Sequence, residues 1–263
     1  MAELGYDPEE MMTVAAARAL SDGDVCFVGI GLPSTAANVA RLTHAPDVVL
    51  IYESGTIGTK PDILPLSIGD GELVETADFV VSVPEIFRYW LQGGKVGIGF
   101  LGAAQLDLFG NINTTVIGEY ASPKIRLPGA GGAPEIATSA REVFITLRQT
   151  PRTFVEKPDF ITTVGYLTGG ESRSRLKIPG RGPTRVFTDL GILEPDPLSK
   201  ELTMVSLHPG VTADQVRQAT GWQLKIRENA TVTAPPTARE LQVLRDMKTR
   251  TARAHGAANI VGA

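Results

Sequence analysis

Glu53 is the residue whose setting most clearly suggests chemistry, because it directly follows an apolar run and precedes two glycines. The run is Val48–Tyr52, and Gly55 and Gly58 come shortly after the glutamate. A continuous apolar run is typical of a strand buried on both faces of a parallel sheet, and glycine permits a tight turn. The pattern predicts one carboxylate at the carboxyl end of a central strand, where open α/β sheets bind ligands.

The chemistry available to Glu53 follows from its charge. Glutamate has an unperturbed pKa of about 4.3, so it is ionised at neutral pH and needs no base to activate it. Carboxylates are weak nucleophiles in water, but they form covalent intermediates in enzymes when they are shielded from water and aligned. Glu53 is therefore either a nucleophile or a structural carboxylate that accepts backbone hydrogen bonds, and the sequence leaves both open.

A second candidate is the glycine-rich run Pro128–Glu135, which reads Pro-Gly-Ala-Gly-Gly-Ala-Pro-Glu. Successive glycines leave their amides unshielded, and a helix predicted to begin at Pro134 would point its positive end toward them. Gly131 and Gly132 could therefore stabilise an oxyanion or bind a phosphate. The alternative is that these glycines serve only a cramped turn.

A third motif, Gly29-x-Gly31-x-x-Ser34, follows a predicted strand and opens a predicted helix. With an acid some 20 residues further on, such a motif is the fingerprint of dinucleotide binding. Glu53 has that position. However, the third glycine is missing and Pro33 lies inside the turn, so the pattern favours a tight connection over a nicotinamide or flavin site.

The remaining polar motifs are weaker. Asp107, Asn111 and Asn113 lack the alternating oxygen spacing of a calcium loop, so a hairpin turn is preferred. The three histidines are scattered and there is one cysteine, so no metal site is predicted. Ser54 lacks the Gly-x-Ser-x-Gly frame of a serine hydrolase.

The elements that must position these residues alternate between strands and helices. Asp7 with Pro8 and Glu10 predicts the start of the first helix, and an N-cap at Thr212 predicts a later one. The predicted helices begin at Pro8 and Pro33 and cover Glu85–Gln92, Pro134–Ala140, Ala213–Thr220 and Thr237–Arg250. The predicted strands are Val25–Val28, Val48–Tyr52, Phe79–Val83, Val96–Leu101, Val143–Leu147, Phe160–Val164, Thr184–Phe187, Leu202–Leu207 and Trp222–Ile226.

These elements predict the fold class: an open, mainly parallel α/β sheet flanked by helices, with an irregular C-terminal third. The chain, residues 1–263, is interpreted as a single domain. Residues 59–75 are predicted to form a long functional loop and residues 105–113 a hairpin. The tail from Ala254 is expected to fray.

Composition excludes several function classes. The net charge is −4 and there is no basic stripe, so no nucleic-acid partner is expected. No apolar run reaches about 18 residues, so no membrane span is expected. The N-terminus, Met1–Glu10, lacks the apolar core of a signal peptide, and a lone Cys26 suits the reducing cytoplasm, which is the predicted location.

Taken in order, several motifs resemble one family, the β subunits of the family I CoA transferases, and most closely the glutaconate type. A related branch acts on 3-oxoadipate. The resemblance extends through Met12–Leu147 and continues more thinly toward the C-terminus. The motifs that carry it are Val-Gly-Ile-Gly-Leu-Pro (28–33), Ala-Pro-Asp (45–47), Tyr-Glu-Ser-Gly (52–55), Gly-Ala-Ala-Gln-Leu-Asp-Leu-Phe-Gly-Asn-Ile-Asn (102–113) and Gly-Ala-Gly-Gly-Ala (129–133).

The resemblance implies a mechanism. Glu53 falls on the family's catalytic glutamate, which forms an acyl-glutamyl anhydride and then a glutamyl-CoA thioester in a ping-pong reaction. Gly131 and Gly132 fall on the glycine loop that lines the reacting thioester. Coenzyme A is a substrate and no other cofactor is implied. Gly29, Gly31 and Gln105 are predicted to contact the substrate or coenzyme A.

The resemblance also implies a partner, a separately encoded α subunit that shares the active site. The helix at Glu85 and the 59–75 loop are candidate pieces of that interface.

Tyr52 and Ser54 depart from the Ser-Glu-Asn-Gly of the 3-oxoacid branch, so the acyl group stays undecided between short dicarboxylic and 3-oxo acids. Alternative functions on this scaffold are a CoA-thioester hydrolase or decarboxylase and a non-catalytic effector-binding domain. Retention of Glu53 argues against the hydrolase and decarboxylase activities.

Overall fold

The computed structural model describes residues 5–256 and places strands from both halves of the chain in one ten-stranded sheet. Its order is β14-β13-β12-β11-β10-β5-β1-β2-β3-β4, and two small hairpins, β6–β7 and β8–β9, lie outside it. In chain order the strands are β1 Val25–Val28, β2 Val49–Ile51, β3 Thr56–Ile57, β4 Phe79–Val80, β5 Ile98–Gly102, β6 Gln105–Leu106, β7 Ile112–Asn113, β8 Val116–Glu119, β9 Ser122–Arg126, β10 Glu142–Thr146, β11 Pro183–Phe187, β12 Gly191–Pro195, β13 Leu202–Leu207 and β14 Lys225–Val232.

Helices cover both faces of the sheet. They are α1 Pro8–Ala17, α2 Leu32–Thr43, α3 Gly71–Glu75, α4 Val83–Glu85, which continues as the π-helix Ile86–Leu91, α5 Ala133–Ser139, α6 Ser172–Arg175, α7 Ala213–Gln218 and α8 Ala238–His255. The predicted caps are confirmed, since Asp7 and Thr212 both form capping boxes. No helix among these residues is long and apolar enough to cross a membrane.

The five strands around β1 run parallel, in the order β2-β1-β5-β10-β11, while antiparallel strands extend both sides. This confirms the predicted fold class. The period of two along β1 separates its side chains between two cores. Cys26 and Val28 join the core formed with α1, α2 and α8, and Phe27 joins the core beneath the π-helix and α5. Because parallel strands share their direction, the carboxyl ends of β1, β2 and β5 meet at one sheet edge.

Several predicted elements need correction. The strand predicted at 160–164 is wrong: the segment makes a single bridge through Thr163 to Ile112, since the Thr162 and Thr163 amides both donate to the Ile112 carbonyl. The 59–75 loop ends in the helix α3. The predicted 222–226 strand begins only at Lys225 and runs to Val232.

The antiparallel elements that were not predicted include the hairpin β8–β9 and the strand β12, besides the two-residue strand β3. Gly118 and Pro123 interrupt the apolar pattern of the hairpin, and β12 begins with Gly191 and ends with Pro195. The irregular region is confined largely to residues 147–182, because β11 to β14 then extend the sheet. The last helix continues to His255, and residues 257–263 of the predicted frayed tail lie outside the described residues.

Ion pairs attach α8 to α1. Arg18 reaches Glu240 at 2.7 Å and Arg245 reaches Glu10 at 2.6 Å. The Glu10 side chain is 8% exposed and also accepts the Asp7 amide in the capping box. The hydrogen bonds from Arg245 hold the pKa of Glu10 below its usual value, although burial opposes them. The ionised form of Glu10 therefore stabilises the folded chain.

We predict that Glu10→Gln lowers the free energy of unfolding by about 2 kcal/mol at pH 7, because a charge-assisted hydrogen bond is lost. The folded pKa is lower than the unfolded value of 4.5, so the native carboxylate contributes fully above that value. Its contribution falls as the pH drops below it. Urea unfolding at pH 7 and pH 4 measures the difference. Glu228→Gln, at an exposed site on β14, is the control, and an equal loss at both pH values would contradict this linkage.

Candidate active site

A tight turn presents Glu53 at the end of β2. The Gly55 amide donates to the Tyr52 carbonyl at 2.9 Å, so Glu53 and Ser54 are the two central residues of the turn. Gly55 has φ +95°, and a Cβ there would lie 2.0 Å from the Val81 carbonyl oxygen. Only glycine fits this position, so the sequence forces the chain to turn directly after the glutamate.

Tyr52 anchors the base of the turn. It is fully buried, and its hydroxyl lies 2.7 Å from the Ser34 hydroxyl in the first turn of α2. Asn38, one helical turn further on, donates to the Ser34 carbonyl at 2.9 Å. Burial raises the pKa of Tyr52 to about 12, so the phenol stays neutral at physiological pH and holds the backbone beside Glu53 in place.

The glycine-rich loop meets the Glu53 carboxylate, as the sequence suggested it could. A Cβ on Gly131 would lie 3.5 Å from Oε2 of Glu53 and 3.7 Å from Oε1. A Cβ on Gly132 would lie 3.2 Å from the carboxyl carbon. The two glycines therefore line one side of the carboxylate without a side chain in between, and α5 begins at the next residue, Ala133.

Thr114 holds the start of this loop. The Gly129 amide donates to the Thr114 carbonyl at 2.9 Å, and the Thr114 hydroxyl donates to the Gly129 carbonyl at 2.8 Å. In the part of the chain that the structure describes, the amides of Gly131 and Gly132 donate to no other group. These two amides are therefore unpaired within the described residues.

Glu53 itself is half-buried. Within residues 5–256 its carboxylate has neither a hydrogen-bond nor an ion-pair partner. A structural carboxylate at a strand end would accept backbone hydrogen bonds, and an ion pair would tie up its charge. Among the described residues, Glu53 shows neither of these arrangements.

Phe87 is a site residue that sequence reasoning missed. It lies in the π-helix, its ring packs on the buried Phe27 at 5.7 Å between centroids, and its edge faces Gly132. A Cβ on Gly132 would lie 2.5 Å from Cζ of Phe87. The sequence predicted a helix here, but residue types do not reveal the π-register that turns Phe87 toward the glycine.

Gly29 and Gly31 lie at the carboxyl end of the neighbouring strand β1. The Gly29 amide donates to the Phe100 carbonyl at 2.9 Å, and a Cβ there would meet the same oxygen. Gly31 has φ +86° and precedes α2, with open space where a Cβ would lie. Ser34, at the place of the missing third glycine, is engaged with Tyr52, so the motif has the geometry of a tight strand-to-helix connection.

Gln105 holds the hairpin β6–β7 together. Its amide nitrogen donates to Asp159 at 3.0 Å, while its oxygen accepts from Asn113 at 2.7 Å and from the Asp159 amide. The polar atoms of the Gln105 side chain are thus all hydrogen-bonded within the protein.

Asp107 accepts a hydrogen bond from the Asn111 side chain within the turn, which confirms a hairpin. No group of three or more histidine, cysteine, aspartate or glutamate side chains in residues 5–256 could hold a metal ion.

Comparison with known proteins gives consistent matches. The family model for coenzyme A transferase matches residues 9–219. The chain is 64% identical over 251 residues to the β-type subunit of 3-oxoadipate CoA-transferase from Pseudomonas knackmussii, covering 95% of this chain and 96% of the relative. It is 36% identical over 241 residues to the β-type subunit of glutaconate CoA-transferase from Acidaminococcus fermentans, covering 89% of each. The crystal structure of glutaconate coenzyme A-transferase from that organism superposes with a TM-score of 0.85 at 33% identity, covering 91% of this chain and 94% of the other.

We predict that Gly131→Ala shields the Glu53 carboxylate, because the added methyl would contact both oxygens. The matched control is Gly170→Ala, where φ is +53° against +48° at Gly131 and a Cβ would meet nothing within 4 Å. Both changes should cost about 1–2 kcal/mol of stability, because both force alanine into a left-handed conformation. Only Gly131→Ala should slow modification of Glu53 by a water-soluble carbodiimide, measured by peptide mass spectrometry. Equal rates in the two variants would show that the loop does not cover the carboxylate.

Proposed function

The chain belongs to the coenzyme A transferase family, and we propose that it works as the β subunit of a transferase that moves coenzyme A between short dicarboxylic or 3-oxo acids. The single observation that carries this proposal is the Glu53 carboxylate, unpartnered among the described residues, beside Gly131 and Gly132. The matched relatives are transferases of 3-oxoadipate and glutaconate, both dicarboxylic acids, which supports the substrate class. Coenzyme A enters as a substrate, and no resident cofactor is proposed.

In the first half-reaction a carboxylate oxygen of Glu53 attacks the thioester carbonyl of the donor acyl-CoA. The carbon–sulfur bond breaks, leaving an acyl-glutamyl anhydride and the CoA thiolate. The thiolate then attacks the glutamyl carbonyl, which gives a glutamyl-CoA thioester and releases the donor acid as its carboxylate. The acceptor acid runs the same steps in reverse, so the kinetics are ping-pong.

Each attack produces a tetrahedral intermediate with a negatively charged oxygen. The free amides of Gly131 and Gly132 are the proposed donors to that oxygen. One well-placed donor lowers such a barrier by about 3 kcal/mol. Gly29 and Gly31 are proposed to line the neighbouring path of the substrate or coenzyme A at the same sheet edge, whereas the Gln105 side chain is hydrogen-bonded to Asn113 and Asp159.

The site also needs a partner, which we propose is a separate α subunit, and the surface next to Glu53 fits one. The outer strand β4, α4 and the π-helix expose apolar side chains: Phe79, Val80 and Val83 are each about half exposed and Tyr89 is 63% exposed. The opposite outer strand, β14, instead carries exposed charges such as Lys225 and Arg227, which discourage pairing. Exposed apolar patches mark protein interfaces, and Val81 on this edge contacts the Gly55 turn.

The buried, free thiol of Cys26 is consistent with a reducing compartment, and the cytoplasm is the proposed location.

We predict that Glu53→Gln abolishes exchange of isotope-labelled 3-oxoadipate or glutaconate into the corresponding acyl-CoA, measured with the complete complex. The amide cannot attack a thioester, so the rate should fall by at least about 10³-fold. Assembly with the α subunit should be unchanged, as for the control Glu228→Gln. Substantial exchange by the mutant complex would refute the role of Glu53. Loss of acyl-CoA without any acceptor acid in the wild type would instead favour a hydrolase or decarboxylase.

We predict that Tyr89→Glu weakens binding of the α subunit, since it places a charge on the exposed apolar surface of the π-helix, which packs on β4 through Trp90 and Phe79. Leu198→Glu is the matched control, since Leu198 is 86% exposed in the turn between β12 and β13. Size-exclusion chromatography of the co-expressed subunits should show dissociation only for Tyr89→Glu. Intact complex in both variants would place the interface elsewhere.

A further inference from the structure

We infer that Phe87 is a positioning residue of the reaction, which sets the distance between the glycine loop and Glu53 and keeps water from the acylated glutamate. The inference rests on the proposed function. It assigns this role to a side chain that lies outside the motifs that carry the family resemblance.

The ring edge of Phe87 and the carboxylate of Glu53 both lie close to the same point, the position of a Cβ on Gly132. A Cβ built on Gly132 would lie 2.5 Å from Cζ of Phe87, 2.9 Å from Cε1, and 3.2 Å from the carboxyl carbon of Glu53. Gly132 has φ −83° and ψ −1°, a conformation that any residue adopts. The glycine is therefore required by the neighbouring side chains and not by its backbone.

The π-helix fixes the ring in this place. The Gln92 amide donates to the Phe87 carbonyl at 2.8 Å, a bond to the fifth residue back, and the buried Ile86 and Leu91 anchor the helix in the core. The Gln92 side chain donates to Glu135 of α5 at 3.2 Å. This hydrogen bond links the π-helix to α5, the helix that follows the glycine loop, and π-helical turns are frequent at functional sites.

A rigid aromatic edge has two effects on the chemistry. It prevents the Gly131–Gly132 amides from moving away from the developing oxyanion, and a shift of about 1 Å can cost ~100-fold in rate. It also occupies space through which water could reach the glutamyl-CoA thioester. If water enters, it adds to the glutamyl carbonyl, the carbon–sulfur bond breaks, and CoA leaves as its thiol, with Glu53 restored as a carboxylate and one proton released.

The test uses Phe87→Leu in the complete complex, since leucine lacks both contacting ring atoms. We expect kcat for transfer to fall ~10- to 100-fold, while KM for acyl-CoA and acid changes by less than about threefold. The ratio of acyl-CoA hydrolysis to transfer should rise at least about tenfold. Trp222→Leu is the matched control: Trp222 is also half-buried and stacks on one buried phenylalanine, Phe154, at 5.5 Å. The Trp222→Leu variant should lose stability without changing the ratio of acyl-CoA hydrolysis to transfer.

A double-mutant cycle with Gly132→Ala gives an independent reading. Gly132→Ala alone should be severely impaired, because its methyl collides with the ring. Phe87→Leu removes the colliding atoms, so the double variant should be more active than the product of the two single effects. Phe87→Met, which keeps the apolar volume without the rigid ring, is measured alongside in case Phe87→Leu does not assemble.

The outcomes separate this inference from the proposed function. If the wild-type complex forms no thioester on Glu53, the proposed function fails and the inference fails with it. If the thioester forms but the Phe87 variants transfer normally, or show only the stability loss of Trp222→Leu, the inference alone is overturned. Independent effects in the cycle with Gly132→Ala would overturn it as well.

Discussion

The central feature of the structure is the close contact between the Glu53 carboxylate and the backbone of Gly131 and Gly132. The Glu53 carboxylate is half-buried and, among the residues that the structure describes, has no hydrogen-bond or ion-pair partner. Here a backbone loop, free of side chains and with unused amides, lies against the charge. The same two glycines that leave Glu53 accessible can bind the oxygen that becomes charged when it reacts.

Elements far apart in sequence hold the Glu53 carboxylate and the glycine loop together. The parallel strands bring the carboxyl ends of β1 and β2 to the same edge, and the Tyr52–Ser34 hydrogen bond fixes the turn from below. Thr114 holds one end of the glycine loop, and Phe87 on the π-helix packs against the other. A Cβ at Gly55 or Gly132 would collide with neighbouring atoms. The lack of a side chain at these two positions is therefore as necessary for the geometry as the side chains of Tyr52 and Thr114.

Much of this arrangement could be predicted from the sequence. The apolar run before Glu53 and the glycines around Gly131 have local signatures, and the caps at Asp7 and Thr212 mark helix starts directly. Other features depend on contacts that no local pattern records. Gln105 is bound to Asp159, 54 residues away, so a polar side chain that could have faced a ligand instead supports the hairpin. The role of Phe87 depends on a π-register. The 160–164 segment has the aromatic and β-branched residues of a strand but pairs through its backbone only with Ile112 among the described residues.

The central claim is that the Glu53 side chain becomes transiently acylated and then carries coenzyme A as a thioester. The most direct measurement is to incubate the wild-type complex with 3-oxoadipyl-CoA or glutaconyl-CoA, add borohydride, and map the peptides by mass spectrometry. We expect reduction of residue 53 to the corresponding alcohol, only in the presence of acyl-CoA. An unmodified Glu53 under conditions of active turnover, or modification of a different residue, would contradict the claim.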